Sequence, residues 1–336
     1  MLMIDGMLGE GGGQILRTSL ALSLVTGKPF IIKDIRAGRK KPGLMRQHLT
    51  CVNAAVKVGN AAVEGANIGS QSLEFEPGAV NPGSYHFAIG TAGSCTLVFQ
   101  TILPALLIAD GPSEVILEGG THNPYAPPFD FLDQAFLGLI NRMGPAVSAS
   151  LIRPGFYPAG GGKIKVEIHP SPLEKMDLTR RGEILNKTAR AFVANLPEKI
   201  AAREIKIVRK LLGWENCEVV NVPDSRGPGN VLTLTVESEN ITEVFTGFGV
   251  KGVTAERVAK RCVGRVKSYL AADVPVGKYL ADQLLIPLAM AGAGTFITQP
   301  PSRHTMTNIE IVKQFLDLNI NCTEMDDRRW QISIGN

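Results

Sequence analysis

No apolar run in this 336-residue chain reaches the roughly 18 residues of a membrane-spanning helix; the longest, around Leu103–Ala109, is interrupted by Pro104 and stopped by Asp110. No membrane partner is therefore expected. The opening Met-Leu-Met-Ile-Asp-Gly lacks the basic stretch and cleavage site of a secretory leader, so the expected compartment is the cytoplasm. Cysteine is sparse: Cys51, Cys95, Cys217, Cys262 and Cys322 form no Cys-x-x-Cys pair. An odd set of separated thiols argues against a disulfide framework and against a zinc site. No histidine pair has His-x3-His spacing, and no Gly-x-Ser-x-Gly elbow is present. Charge of one sign is lacking too. A net +4 does not identify a nucleic-acid binder, so local clustering has to carry that argument.

What the chain does contain is an internal repeat. Gly13–Thr26 reads as a helix, Gly27 as its stop and Phe30–Ile35 as a strand. Gly93–Ala109 with Glu114–Glu118, and Gly277–Ala291 with Thr295–Thr298, repeat that order. Each strand leads through a polar or Pro-containing loop into a second helix, about Leu44–Val58, Phe129–Met143 and Asn308–Leu316, and two strand-like runs close each unit. The expected class is α/β (α+β): three repeated units of two helices on a four-stranded sheet. The first two copies begin about 80 residues apart and the third about 184 later, so an insertion of roughly 95 residues restores the period. Residues 181–276 are expected to form that small inserted α/β domain, with 1–180 and 277–336 as the large domain. Within the insert, Ile184–Leu196, Glu198–Leu212 and Ala255–Ala271 read as helices.

The repeats bring three strand-to-helix loops to one end of the fold, where α/β units bind ligands. One loop holds His304, just after Pro300 and Pro301; Thr307 and Glu310 have capping-box spacing, which places the helix start after the histidine. Another is the most basic stretch, Arg36-Ala-Gly-Arg39-Lys40-Lys41-Pro-Gly-Leu-Met-Arg46-Gln47-His48. It carries five cations within eleven residues, suited to phosphate oxygens or simply a solvated charge run.

Gly9-Glu10-Gly-Gly-Gly13-Gln14 with Arg17 opens a helix and can bring backbone N–H groups close to an anion, or serve as a tight turn. Gln14 occupies the last glycine position of a dinucleotide fingerprint, so that reading fails. Glu10 suits a metal-side carboxylate or a helix-start charge. Tyr279, Asp282 and Gln283, at i, i+3 and i+4, share a helix face that could hold a purine and its ribose, or form a polar flank. Gln100 lies among apolar residues on the corresponding helix of the second copy, a buried amide in need of a partner. Gly155–Gly162 before Lys163 lacks the Ser or Thr of a P-loop and runs into a strand; it is a glycine-rich hairpin.

Taken together, Gly9–Arg17, Arg36–Gly43, Gly90-Thr-Ala-Gly-Ser-Cys-Thr96, Gly155–Gly162, Tyr279–Gln283 and His304 resemble the RNA 3′-terminal phosphate cyclases over essentially the whole chain. The resemblance implies three helix–sheet repeats with an inserted domain of thioredoxin-like topology. It implies ATP-dependent conversion of an RNA 3′-phosphate to a 2′,3′-cyclic phosphate through an adenylylated histidine and an RNA(3′)pp(5′)A intermediate. On the motif match His304 is the nucleophile, and Gln100, Tyr279, Leu280, Ala281, Asp282 and Gln283 bind ATP. Glu10 holds Mg2+ or Mn2+, and Arg17, Arg36, Arg39, Arg46, Gln47 and His48 meet the phosphorylated RNA end. One departure is Pro154, where the signature often has a basic residue. The rival reading is a non-catalytic relative that binds RNA or assists ribosome assembly, which loss of the nucleophile would mark. An enolpyruvyl-transferase-like enzyme is disfavoured, because such enzymes use six units.

Overall fold

The computed structural model describes residues 1–335. In chain order the first elements are β1 (Leu2–Asp5), α1 (Gly13–Thr26), β2 (Phe30–Lys33), α2 (Arg46–Gly59), β3 (Ala62–Glu64) and β4 (Leu73–Glu76). Next come β5 (Ser84–Ala88), α3 (Cys95–Leu106), β6 (Ser113–Gly119), a π-helical segment Phe131–Leu137 continued by α4 (Gly138–Arg142), β7 (Ala146–Arg153) and β8 (Gly162–His169). After β9 (Met176–Leu178) follow β10 (Ile184–Ala194), α5 (Lys199–Leu212), β11 (Cys217–Asn221), β12 (Gly229–Ser238), β13 (Thr242–Phe248) and α6 (Ala255–Ala272). The chain closes with α7 (Lys278–Met290), β14 (Gly294–Thr298), α8 (Arg303–Phe315), β15 (Ile320–Glu324) and β16 (Trp330–Ile334).

Three mixed sheets have one order: β1-β2-β4-β3, β5-β6-β8-β7 and β9-β14-β16-β15. In each, the first two strands are parallel and the third neighbour is antiparallel. β9 precedes the 184–272 segment yet pairs with β14 after it, so the chain leaves the third sheet and returns to it. Between those points β11-β10-β12-β13 form a fourth sheet, which shares its own apolar cluster with α5 and α6.

Most of the remaining core is one continuous cluster beneath the helices. α1 is its centre: every residue from Gln14 to Leu24 except Arg17 is buried, as expected of a helix with neighbours all round. It packs against α2, α3 and α8, while α7 packs against α8. The N-terminal ends of α1 and α8 and the face of α7 thereby meet.

Two elements differ from the sequence reading. Ile184–Leu196, expected as a helix, is strand β10 up to Ala194. Ala189, Ala191 and Val193 are buried while Arg190 and Phe192 are only partly so, a period of two that overrides the helix propensity of Ala and Arg. α8 starts at Arg303 rather than after Thr307. The two prolines hold the chain extended, and Ser302 directly after them is the N-cap, its Oγ accepting the Thr305 N–H at 3.1 Å. Thr307 lies inside the helix, its hydroxyl donating to the Arg303 carbonyl at 2.8 Å. His304 is consequently a first-turn helical residue, with its position fixed by the cap.

Candidate active site

The Gly9–Gly13 loop lies against the start of α8. Gly9 takes φ +57°, and a Cβ there would run into the Thr307 hydroxyl, so only glycine permits the approach. Thr307 Oγ1 in turn accepts the Glu10 N–H at 3.3 Å. The loop thus brings Glu10 to His304: Glu10 Oε2 is 3.2 Å from the ring Nε2. The same oxygen accepts from Arg39 Nη2 at 3.0 Å, and Arg39 also bonds the Glu10 carbonyl at 2.9 Å.

The other face of the ring is set by Gln14. His304 Nδ1 lies 2.6 Å from Gln14 Oε1, and Gln14 Nε2 donates to Asp282 Oδ1 at 2.6 Å. With its amide nitrogen committed to Asp282, Gln14 presents only oxygen to the ring, so Nδ1 carries a proton; Nε2, which faces Glu10 Oε2, holds the lone pair when the ring is neutral. The ring is 54% exposed, which leaves that lone pair accessible.

Asp282 is the hub of this network. Oδ2 accepts from Gln283 Nε2 at 3.1 Å, and Gln283 Oε1 accepts from Gln100. The Asp282 carbonyl accepts from Asn308 Nδ2 at 3.1 Å, and Asn308 Oδ1 accepts from Thr18 at 2.7 Å. Burial pushes the Asp282 carboxyl above its ordinary range, opposed by the Gln14 hydrogen bond and by His304 and Arg17 nearby. Leu280 and Ala281 are buried in the helix layer, leaving Asp282, Gln283 and the 60% exposed Tyr279 as the α7 side chains able to meet a ligand.

The basic segment divides. Arg36 Nη1 bonds the carbonyls of Lys41 and Gly43 at 2.8 and 2.7 Å and so folds its own loop, whereas Arg39 reaches Glu10. Arg46 begins α2 and is exposed. Gln47 Oε1 accepts the Ser94 N–H at 3.0 Å and ties α2 to the start of α3. His48 Nδ1 accepts the Met45 N–H at 3.1 Å; burial, with Arg17 and Arg36 nearby, lowers its pKa to about 3, so it is a neutral donor through Nε2. Burial also lowers the Arg17 pKa, opposed by Cys51, Asp282 and Glu10.

Residues from three separated stretches, Glu10 with Gln14, Arg39, and Asp282 with His304, therefore converge. Sequence reasoning missed Gln14 as the ring's partner and Asn308 as the brace of α7. Gln14 was visible only as the residue that spoils a glycine pattern, and its amide has meaning only once α1 and α8 are packed together. Among the described residues no three His, Cys, Asp or Glu side chains cluster as a complete metal cage, and no helix is long and apolar enough to cross a membrane.

Comparison with known proteins places the whole chain. The chain is 49% identical over 330 residues to an RNA 3′-terminal phosphate cyclase of Koribacter versatilis (strain Ellin345), covering 97% of this chain and 93% of that protein. It is 49% identical over 333 residues to one of Ectopseudomonas mendocina (strain ymp), covering 98% and 97%. Residues 8–322 match the family profile described by the same words. The chain belongs to the RNA 3′-terminal phosphate cyclase family, a family of ATP-dependent enzymes.

Proposed function

We propose that the protein converts an RNA 3′-phosphate to a 2′,3′-cyclic phosphate through a covalent His304–AMP intermediate. The observation that carries this reading is the Asp282–Gln14–His304 chain, which holds the proton on Nδ1 and leaves Nε2 as a nucleophile beside Glu10 and Arg39. The same intact chain speaks against a non-catalytic RNA-binding role.

In the first step Nε2 attacks the α-phosphorus of ATP; the Nε2–P bond forms, the bond to the bridging oxygen breaks, and pyrophosphate leaves. Gln14 accepts the Nδ1–H throughout and steadies the imidazolium character that develops. Tyr279 offers an aromatic face to the base, and Asp282, Gln283 and Gln100 supply the polar contacts to the nucleotide. A phosphate oxygen of the RNA end then attacks the same phosphorus, the P–N bond breaks, and the imidazole is recovered. Finally the neighbouring 2′-OH attacks the activated 3′-phosphorus and AMP leaves, a step that needs little beyond proximity. Arg17, Arg39, Arg46, Gln47 and His48 are assigned to the RNA phosphate side, with Arg36 shaping their loop.

Glu10 is the carboxylate that would hold Mg2+ or Mn2+, and the donor set fits: such ions commonly take one or two carboxylates and fill the rest with water and substrate phosphate oxygens. When bound, the ion offsets negative charge on the phosphates. The shared order of three sheets supports the threefold repeat. The separate sheet and core of 184–274 support an inserted domain within 181–276, and its β11-β10-β12-β13 order with antiparallel β12 supports a thioredoxin-like topology.

The test is product analysis. An oligoribonucleotide 3′-phosphate with ATP and Mg2+ or Mn2+ is expected to give a 2′,3′-cyclic end and AMP. The same strand with a terminal 2′-deoxynucleotide should accumulate only the adenylylated end. Cyclisation without ATP, or none with it, would contradict the proposal.

A further inference from the structure

The segment that returns from α6 to α7 is gripped at three alternate residues. Arg181 Nη2 pairs with Asp273 Oδ1 at 2.9 Å, Tyr269 Oη donates to the Pro275 carbonyl at 2.8 Å, and the Gly277 N–H donates to Glu243 Oε1 at 2.5 Å. Glu243 lies on β13, is 2% exposed, and reaches out of the fourth sheet to the residue that caps α7. Gly277 provides no side-chain cap of its own, so this carboxyl is the outside partner of the helix start. Neighbouring residues show the same crossing: Ile241, just before β13, and Val244 on it belong to the main core, away from the cluster of the fourth sheet. α7 then carries Tyr279, Asp282 and Gln283, and Asp282 connects through Gln14 to His304.

We propose that Glu243 is a positioning residue for the nucleotide step: through Gly277 it sets the axial position of α7, so that residues 184–272 hold the ATP-binding helix against His304. This rests on the reading of Tyr279–Gln283 as the nucleotide segment. Among the described residues, the only hydrogen bond this buried side chain makes outside its own strand is aimed at a helix start. Burial raises its pKa to about 8, so near neutral pH the carboxyl is largely protonated and glutamine is its close mimic. Gly277 has an ordinary negative φ of −76°, yet a Cβ there would stand 2.8 Å from Glu243 Oε1 and push the contact apart.

The experiment uses the full chain and follows self-labelling by ATP carrying its label in the α-phosphate, at varied ATP concentration. Glu243→Ala is expected to raise the KM for ATP by about 3- to 10-fold, the worth of one hydrogen bond, with a smaller change in maximal rate. Glu243→Gln should stay within about twofold of wild type, and Gly277→Ala should reproduce the raised KM. Equal impairment by Ala and Gln at 243 overturns the proposal, as does an unchanged KM in folded Glu243→Ala. If Glu243→Ala does not fold, Gly277→Ala decides, and an unchanged KM there overturns it. Tyr279→Ala separates the two readings: an unchanged KM would remove the nucleotide assignment. A raised KM there, with Glu243→Ala unaffected, would remove only the role of Glu243.

Discussion

Gln14 gives the exposed His304 imidazole a defined hydrogen-bond partner at Nδ1. Its amide can satisfy Asp282 and the ring only in one orientation, so a single side chain fixes which histidine nitrogen carries the proton. Gln14→Ala is expected to slow self-adenylylation about 10- to 100-fold, the usual cost of losing a partner that orients a reacting imidazole. The KM for ATP should change much less. A matched rise in KM with no change in maximal rate would instead place Gln14 among nucleotide contacts. At this scale the sequence was only partly informative. His304, Glu10, Asp282 and Arg39 could be singled out by residue type and neighbourhood. The pairing of Gln14 with His304 spans 290 positions, and no local pattern encodes it. Arg36 shows the converse: it reads as a phosphate fork, yet two carbonyls of its own loop already occupy one guanidinium nitrogen.

The N-terminal turn of α8 sets where His304 stands. The sequence reading put the cap at Thr307, whereas the structure uses Ser302, five residues earlier; starting there adds backbone bonds that a start at Thr307 would forgo. Ser302→Ala is expected to cost about 1 kcal/mol of stability, seen as a lower denaturation midpoint. It should also lower the labelling rate, since the fraying turn contains His304, the proposed nucleophile. Full activity with the same loss of stability would show that the turn stays formed without its cap. The helix–strand alternation that leads into the three sheets of one order was legible because each helix has a clear stop and each strand a clear run of β-branched residues. β10 was not, since alanines in alternating positions suit either period until the neighbouring strands β11 and β12 are known.

Across the whole molecule, buried carboxyls give a pH signature. Glu204 on α5 is fully buried; Asn230 Nδ2 bonds one oxygen at 2.8 Å and the other has no hydrogen-bond partner among the described residues. Burial raises its pKa from 4.5 to about 7, while the unfolded chain keeps the lower value. The folded state therefore retains a proton that the unfolded state releases. The stability contributed by this group is complete below the unfolded pKa and is lost as pH rises through about 7. Glu243, raised to about 8, acts in the same direction. Glu204→Gln should therefore gain in melting temperature over wild type as pH rises from about 5 to 8. A difference that stays flat with pH would mean that Glu204 remains ionised in the fold. Repeat arithmetic alone pointed to a separate segment at 181–276, because an interrupted period leaves a measurable gap, and the fourth sheet with its own apolar cluster falls there. Its grip on α7 was not, since that contact depends on how one sheet edge meets another helix.

The proposed reaction turns on covalent adenylylation of His304 Nε2. Full-length protein is incubated with ATP labelled in the α-phosphate and with Mg2+ or Mn2+, then the protein-bound label is tested in acid and in alkali. Wild type is predicted to carry label that is lost in acid and kept in alkali, as a phosphoramidate requires, and His304→Ala to carry none. Label of the same kind on His304→Ala would contradict the account.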